Sequence, residues 1–422
     1  MSRRALVIVT VGTVVISLYA LVIFYTPERL CSGCSSDGKG VRFLADDFDR
    51  SAYFVRGMWY VFGLRHMSQL DAEYPPLAVY FFALPFIVAD IAGKNLLSYV
   101  NKPFHEVIVL ALQSQSRKLY TNLFTVLMAP IYVALLYVTL ALREKAKNDL
   151  ELSDGEAYAF LFFLPAFMYF SLNRFDLLPS LMVSLAFFVL FLDKSPMFAG
   201  ALLGMGMMTK WYPALLAPMF FKYYFGKSSI SAVKFVVLFA CVGLASLAPL
   251  FFFGDWEAFV NPYRFQLSRQ GDVLSLFGLF ANLRGEEISR GAQIVLLVMQ
   301  FCPSLLAFTA KLTTKRAVLE WTLLSLFSFV LFAKFYSPQW LIWIVPLLVV
   351  KLNTTHLLFL VGLWDISSYL LFPLLYDIYG IHDNIPPLLF IVCVLFKSVI
   401  IILLLGSSAK FALNDLRESW GI

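Results

Sequence analysis

The chain has 422 residues, 60% of them hydrophobic and only 14% charged, with a formal net charge of +6. Soluble domains carry about 25% charged residues, so this composition excludes a water-soluble globular protein and specifies an integral membrane protein. The basic residues cluster in short loops between apolar runs, a pattern of membrane topology rather than of nucleic-acid affinity, and no nucleic acid is expected as a partner.

The first apolar run, 5–25, follows Arg3 and Arg4. It is long and no small-residue cleavage site follows it, so it reads as a retained helix with the N-terminus in the cytoplasm. A large external loop at about 26–74 comes next. It holds Cys31 and Cys34, a lone C-x-x-C that suits a local disulfide or no role better than a metal site, because no second ligand pair exists. Further apolar runs fall at roughly 75–93, 118–142, 156–172, 177–192, 197–209, 212–225, 231–253, 291–310, 317–333, 339–352, 354–372 and 387–406. The expected fold is therefore an all-α polytopic membrane protein with about 12–13 transmembrane or partial helices. Alternating strands of about 10 residues, the mark of a membrane β-barrel, are absent from the sequence.

Between 156 and 225 the pattern is punctuated by Pro165, Pro179, Pro196, Pro213 and Pro218. Broken helices persist in a membrane only where protein or a water-filled cavity satisfies the freed backbone groups, which predicts a cavity here. A second external loop spans about 254–290. Basic clusters at Arg143-Lys145-Lys147, Lys222-Lys227-Lys234, Lys311-Lys315-Arg316 and Lys410-Arg417 are expected in the cytoplasm of a multi-pass plasma-membrane protein. The parity is open: counting from the N-terminus places 143–155 outside, counting back from the C-terminus places it inside. A partial or re-entrant segment within 94–117 would account for the conflict. The whole chain, 1–422, reads as one membrane domain, with no appendage for a nucleotide sugar and no phosphate-binding loop for ATP-driven transport.

Five segments carry candidate chemistry. In the first, Asp46, Asp47 and Asp49 precede Tyr53, and Glu73-Tyr74 precede the Pro75-Pro76 hinge that re-enters the membrane. A carboxylate beside a membrane-level cavity suits a general base, and the same three aspartates could hold a divalent cation; a solvated loop is the plainer alternative. In the second, Arg174 and Asp176 flank Phe175 at a helix break, costly unless paired or facing a cavity. The third is Gly200…Gly204 followed by Lys210-Trp211-Tyr212-Pro213, close helix packing and then a lysine suited to a phosphate. The fourth, Arg264…Arg269…Asp272…Ser275, is a weak phosphate clamp. The fifth, Lys334 to Trp340 with Gln339, sets an ammonium and an amide among aromatic rings, as a sugar phosphate requires.

Taken in order, these segments resemble the GT-C superfamily of polytopic glycosyltransferases, which use polyprenyl-phosphate-linked sugars. The resemblance is to its bacterial and archaeal mannosyltransferase-like branch. Asp49…Tyr53 stands for that branch's Asp-x-x-x-Tyr, Tyr74-Pro75-Pro76-Leu77 for its Tyr-Pro-Pro-Leu, and Arg174 to Pro179 for its Arg-Tyr/Phe-Asp-x-x-Pro. Lys210 to Pro213 is similar to its Lys-x-Tyr-Pro, and Lys334 to Trp343 to its Lys-x-x-Ser-Pro-Gln element. In its Arg-x-x-Gln-x-Glu-Ser element this chain keeps Arg269 and Ser275 but has Asp272 and Leu274 in place of Gln and Glu.

The resemblance implies a GT-C-like bundle and an inverting hexosyl transfer, with or without a metal, to a lipid or glycan acceptor at the external face. Asp49 would be the base, with Asp47 its rival. Arg174, Lys210, Lys334 and Arg269 would hold the donor phosphate. Asp46, Tyr53, Glu73, Tyr74, Asp176, Tyr212, Gln339 and Trp340 would line the cavity. A lipid-linked-sugar flippase or other secondary transporter is the runner-up, disfavoured by the absence of an internal repeat. A non-catalytic subunit of a glycosylation complex is the third reading.

Overall fold

The computed structural model describes residues 2–25, 47–62, 74–93, 115–153, 155–252, 256–381 and 386–420. Among the described residues all regular structure is helical. In chain order the α-helices are α1 (Arg3–Tyr25), α2 (Asp47–Phe62), α3 (Pro76–Gly93), α4 (Gln115–Ala146), α5 (Pro165–Asn173), α6 (Leu177–Phe191), α7 (Pro196–Thr209) and α8 (Ala217–Lys227). They continue as α9 (Ser229–Phe252), α10 (Trp256–Ser268), α11 (Leu276–Leu283), α12 (Arg290–Leu306), α13 (Lys315–Phe332), α14 (Leu341–Lys351), α15 (Thr355–Tyr369) and α16 (Leu388–Trp420). Cys31, Cys34, Asp46, Glu73 and the segment 94–114 lie outside the described residues, as does the side chain of Asp47.

Among the described residues five helices are long and apolar enough to cross a membrane alone, and α5 with α6, bent by 108°, adds a broken span or a re-entrant loop. Apolar helices of 10–17 residues, among them α7 and α12, fill out the bundle. The 12–13 apolar runs read from the sequence are therefore a mixture of full spans and half-length pieces. The prolines explain the pieces. Pro165, Pro196, Pro213 and Pro218 each occupy the first or second position of a new helix, where a missing N–H costs nothing. α7 lies against α9 at its glycines: a Cβ on Gly200 would sit 2.2 Å from the Phe235 carbonyl oxygen, and one on Gly204 2.8 Å from that of Phe239.

One end of the bundle gathers the chain termini and most loops rich in lysine and arginine. Ser2 Oγ donates to Glu156 Oε1 at 2.7 Å. Arg143 donates to the carbonyls of Val349 and Leu352 at 2.7 Å each, satisfying the open C-terminal end of α14. Lys315 holds Asp193 at 2.6 Å and Asp149 at 3.5 Å. Lys351 reaches Ser408 at 3.1 Å, and the Trp321 indole donates to Asp415 at 3.1 Å. The 143–156 segment thus shares an end of the bundle with Ser2 and with the last turns of α16. α3 and α4 both start from the opposite end, near Pro75 and against α2 through Arg117 and Ser51.

Candidate active site

Three breaks in the helical pattern meet at the end opposite the termini. After α5 the backbone of Arg174 is extended (φ −130°, ψ 155°), so the chain turns before α6. After α7 Lys210 is extended (φ −156°, ψ 141°) and a short 3-10 turn, Tyr212–Leu216, follows. After α13 the segment 333–337 leads into a second 3-10 turn, Pro338–Trp340. Non-helical backbone at membrane depth is expected only against protein or a cavity. Here it lines a cavity of about 1040 Å³.

The cavity has two chemical halves. Asp49, Arg174, Lys210, Arg269, Arg290 and Lys334 stand in its polar half. The other part is mostly apolar, lined by Leu215 and Pro218 and by Leu297, Phe301 and Leu305 of α12, with Gln300 and Ser304 among them. From Arg290 to Leu305 the wall runs for about 22 Å at 1.5 Å per residue. Beyond Leu305, Phe221 packs on Phe308, ring centroids 6.0 Å apart, and Lys222 donates to the Phe308 carbonyl at 2.8 Å.

On one wall, Asp49 in the first turn of α2 forms an ion pair with Arg174. The Arg174 guanidinium also lies 5.8 Å from the centroid of the Phe372 ring. Next to this pair, Lys210 donates to Asp176 Oδ1 at 2.6 Å, and the same oxygen accepts the Trp343 indole N–H at 2.6 Å. Asp176 is fully buried. Tyr212 stacks on Trp343, centroids 4.3 Å apart and planes 7° apart. Trp340 stacks on Trp343 in turn at 5.1 Å, forming an aromatic shelf.

On the facing wall, Lys334 Nζ donates to the Leu267 carbonyl at 3.1 Å and to Gln293 Oε1 at 3.4 Å. Burial, reinforced by the positive charge of Arg269, holds the Lys334 ammonium below the usual lysine range. The Arg269 guanidinium covers the Phe335 ring at 4.0 Å. The Lys334 carbonyl accepts from the Asp272 N–H at 3.0 Å and from Ser275 Oγ at 2.7 Å. Ser275 also caps α11 through the Gly278 N–H at 2.9 Å. That approach needs glycine, because a Cβ at Gly278 would fall 2.1 Å from the Asp272 carbonyl oxygen.

Of the residues singled out in the sequence, Asp49, Tyr74, Arg174, Lys210, Tyr212, Arg269, Lys334, Gln339 and Trp340 share this cavity. Tyr53, Asp176, Arg264 and Ser275 do not reach its wall. Tyr53 is fully buried one turn along α2 from Asp49, stacked on Phe82 at 4.5 Å and edge-on to Phe175 at 5.5 Å. Asp176 lies behind Lys210 as its counter-ion. Arg290 and Gln293 were missed because α12 was read as a plain apolar run. The available signal was a polar stripe at Arg290, Gln293, Gln300 and Ser304, spaced by three, seven and four residues and so on one helix face. No group of three or more His, Cys, Asp or Glu side chains suited to a metal occurs among the described residues.

No curated protein matches the chain. The description of glycosyltransferase family 87 matches residues 73–338. That stretch carries Tyr74, Arg174, Lys210, Arg269 and Lys334, and it begins after Asp49. A multi-pass helical bundle, with a cavity where helices break and carboxylates meet arginine and lysine, is the setting such a transferase needs. With the match covering well over half of its residues, the chain belongs to glycosyltransferase family 87.

Proposed function

We propose that the protein moves a mannose-like hexose from a polyprenyl-phosphate-linked donor to a lipid or glycan acceptor, with inversion, at the external face of the plasma membrane. The observation that supports this reading is the make-up of the cavity: it holds several cations, and beyond Arg290 and Gln293 a mostly apolar stretch of α12, Ile294 to Leu305, lines it for about 17 Å. A nucleotide sugar would leave the space along that stretch unfilled, whereas an isoprenoid tail would fill it. The basic clusters at the end holding both termini favour a cytoplasmic location for that end, and so an external one for the cavity.

In this mechanism Asp49 takes the proton of the acceptor hydroxyl. The hydroxyl oxygen forms its bond to the anomeric carbon while the bond from that carbon to the phosphate oxygen breaks. The departing polyprenyl phosphate keeps the electron pair. Arg174 orients the Asp49 carboxylate. Lys334, with Arg269 and Arg290, faces the phosphate and binds it alike in the donor and in the leaving group. Lys210 borders the same space with its charge largely answered by Asp176. The Trp340–Trp343 shelf offers its face to the sugar. Asp47 is the alternative base, and a divalent cation held by the 46–49 carboxylates is the alternative means of activating the hydroxyl.

The test is transfer by purified protein in lipid nanodiscs, using a radiolabelled polyprenyl-phosphate hexose and candidate acceptor lipids. Product should form, and Asp49→Asn at equal folded yield should lower the rate by about 10²–10⁴-fold. Full activity of Asp49→Asn overturns the base assignment. Transfer from a nucleotide hexose alone overturns the donor class. Movement of the donor across a liposome membrane without product marks a flippase instead.

A further inference from the structure

The family match stops at residue 338, and no motif lies in the helices beyond α14. Yet two buried ionisable side chains in those helices are tied to elements of the cavity: Asp365 to the start of α5, whose far end carries Arg174, and Lys397 to the wall itself. Asp365 in α15 is 1% exposed. Its two carboxylate oxygens accept the backbone N–H groups of Ala166 and Phe167, both at 2.9 Å. Those amides open α5, whose own N-cap residue, Leu164, supplies no side-chain acceptor. α15 and the segment after it then track α5 to its end. Tyr169 lies edge-on to Tyr369 at 5.7 Å, Phe170 stacks on Phe372 at 6.2 Å, and Arg174 sits over the Phe372 ring.

Lys397 in α16 is likewise 1% exposed. Its ammonium donates to the Leu274 carbonyl at 2.5 Å and lies 3.4 Å from the centroid of the Tyr336 ring. Leu274 and Tyr336 both line the cavity. They belong to the loop and the break that Asp272 and Ser275 stitch together at the Lys334 carbonyl. Tyr336 is fixed from behind as well, through Ser368 at 3.1 Å and the Trp364 indole at 3.1 Å.

We propose that Asp365 and Lys397 are positioning residues. Asp365 sets Arg174, and through it Asp49, by capping α5 from a distant helix. Lys397 sets the plate that carries Lys334 and Arg269. Charge inside a membrane is costly and is kept where function uses it. A nine-residue helix is too short to hold its own geometry. A carboxylate on its first amides both satisfies two donors and complements the helix dipole. Lys397 does the equivalent for a loop, converting a free carbonyl and an aromatic face into one fixed contact.

The inference rests on the reading of Asp49 as base and Lys334 as phosphate ligand, and it predicts opposite kinetic signatures for the two anchors. Asp365→Asn keeps the size of the side chain and removes one acceptor. Its kcat should fall about 10–100-fold with donor KM within about twofold of wild type, since small misplacements of reacting groups carry such costs. Lys397→Met should raise donor KM about tenfold with kcat within about twofold, and Lys397→Arg should recover most of the loss. Both are measured per folded molecule, after size exclusion and thermal unfolding. If Asp365→Asn does not fold, Asp365→Glu keeps both oxygens on a longer arm and should show the same fall in kcat. Changes of kcat and KM together in both variants, or of neither, overturn the proposal. Failure of the underlying reading is separately visible, because Asp49→Asn and Lys334→Ala would then both retain transfer.

Discussion

Removing Lys210 should destabilise the protein more than removing the charge of its partner, and removing both should cost little more than the latter. The geometry sets the asymmetry. Asp176 is 0% exposed and shares one oxygen between the Lys210 ammonium and the Trp343 indole, whereas the Lys210 side chain is 13% exposed at the cavity wall. Lys210→Met therefore leaves a carboxylate with no route to water, at a cost of about 3–5 kcal/mol. Asp176→Asn keeps an acceptor for Trp343 and leaves a lysine that can turn into the cavity, at a cost of about 1–3 kcal/mol. The double variant should fall near Asp176→Asn alone, a coupling of about 2 kcal/mol or more. Denaturant titration in mixed micelles, followed by tryptophan fluorescence, measures all three. Additivity within about 0.5 kcal/mol, or a larger loss for Asp176→Asn than for Lys210→Met, refutes the reasoning. The same proteins report on chemistry: if Lys210 serves Asp176 rather than phosphate, the double variant keeps measurable transfer where Lys210→Met does not.

Lys334 predicts a pH dependence with a definite sign. Burial and Arg269 hold its ammonium below the ordinary lysine range, so the cation in the free protein is lost as pH rises through that lowered value. Donor affinity should be full below it and weaken above it, and Lys334→Arg should flatten the alkaline limb; an unchanged limb in that variant argues against a phosphate contact. Gly200→Ala should cost about 1–3 kcal/mol by forcing α7 from α9, since the added Cβ meets the Phe235 carbonyl. Gly226→Ala, with nothing within 4 Å of the new Cβ, is the control, and equal stabilities of the two variants would contradict the close packing.

The sequence carried the breaks well, because proline acts locally. Pro165, Pro196 and Pro218 start helices, and their spacing alone indicated pieces around a cavity. It also flagged Arg174 and Asp176 as too costly to lie idle in a membrane, and Lys210 as a cation at a helix break suited to a phosphate. What it could not carry was the choice of partner. Arg174 turns to Asp49 rather than to Asp176 two residues away, and Asp176 takes Lys210, 34 residues on. Such pairings depend on which helix ends meet, and periodicity within one helix contains no term for that. Tyr53 shows the same limit. Its four-residue spacing from Asp49 puts both on one face of α2, but the ring fills an aromatic wedge between Phe82 and Phe175 while the carboxylate faces the cavity. Asp365 was legible only as a lone charge in an apolar run, since the amides it caps lie 198 and 199 residues earlier.

The exposed side of α12 has a consequence for how such a protein is assayed if its donor is the lipid-linked one proposed above. α12 packs along α13, and its cavity-side residues Leu297, Phe301 and Leu305 keep between 38% and 63% of their surface exposed. A lipid tail longer than that stretch would leave sideways into the bilayer past α12, where those side chains are exposed. A carrier of that kind arrives and departs by two-dimensional diffusion. Its apparent KM would follow its mole fraction among the surrounding lipids and detergent, so added micelles would dilute the substrate while added buffer would not.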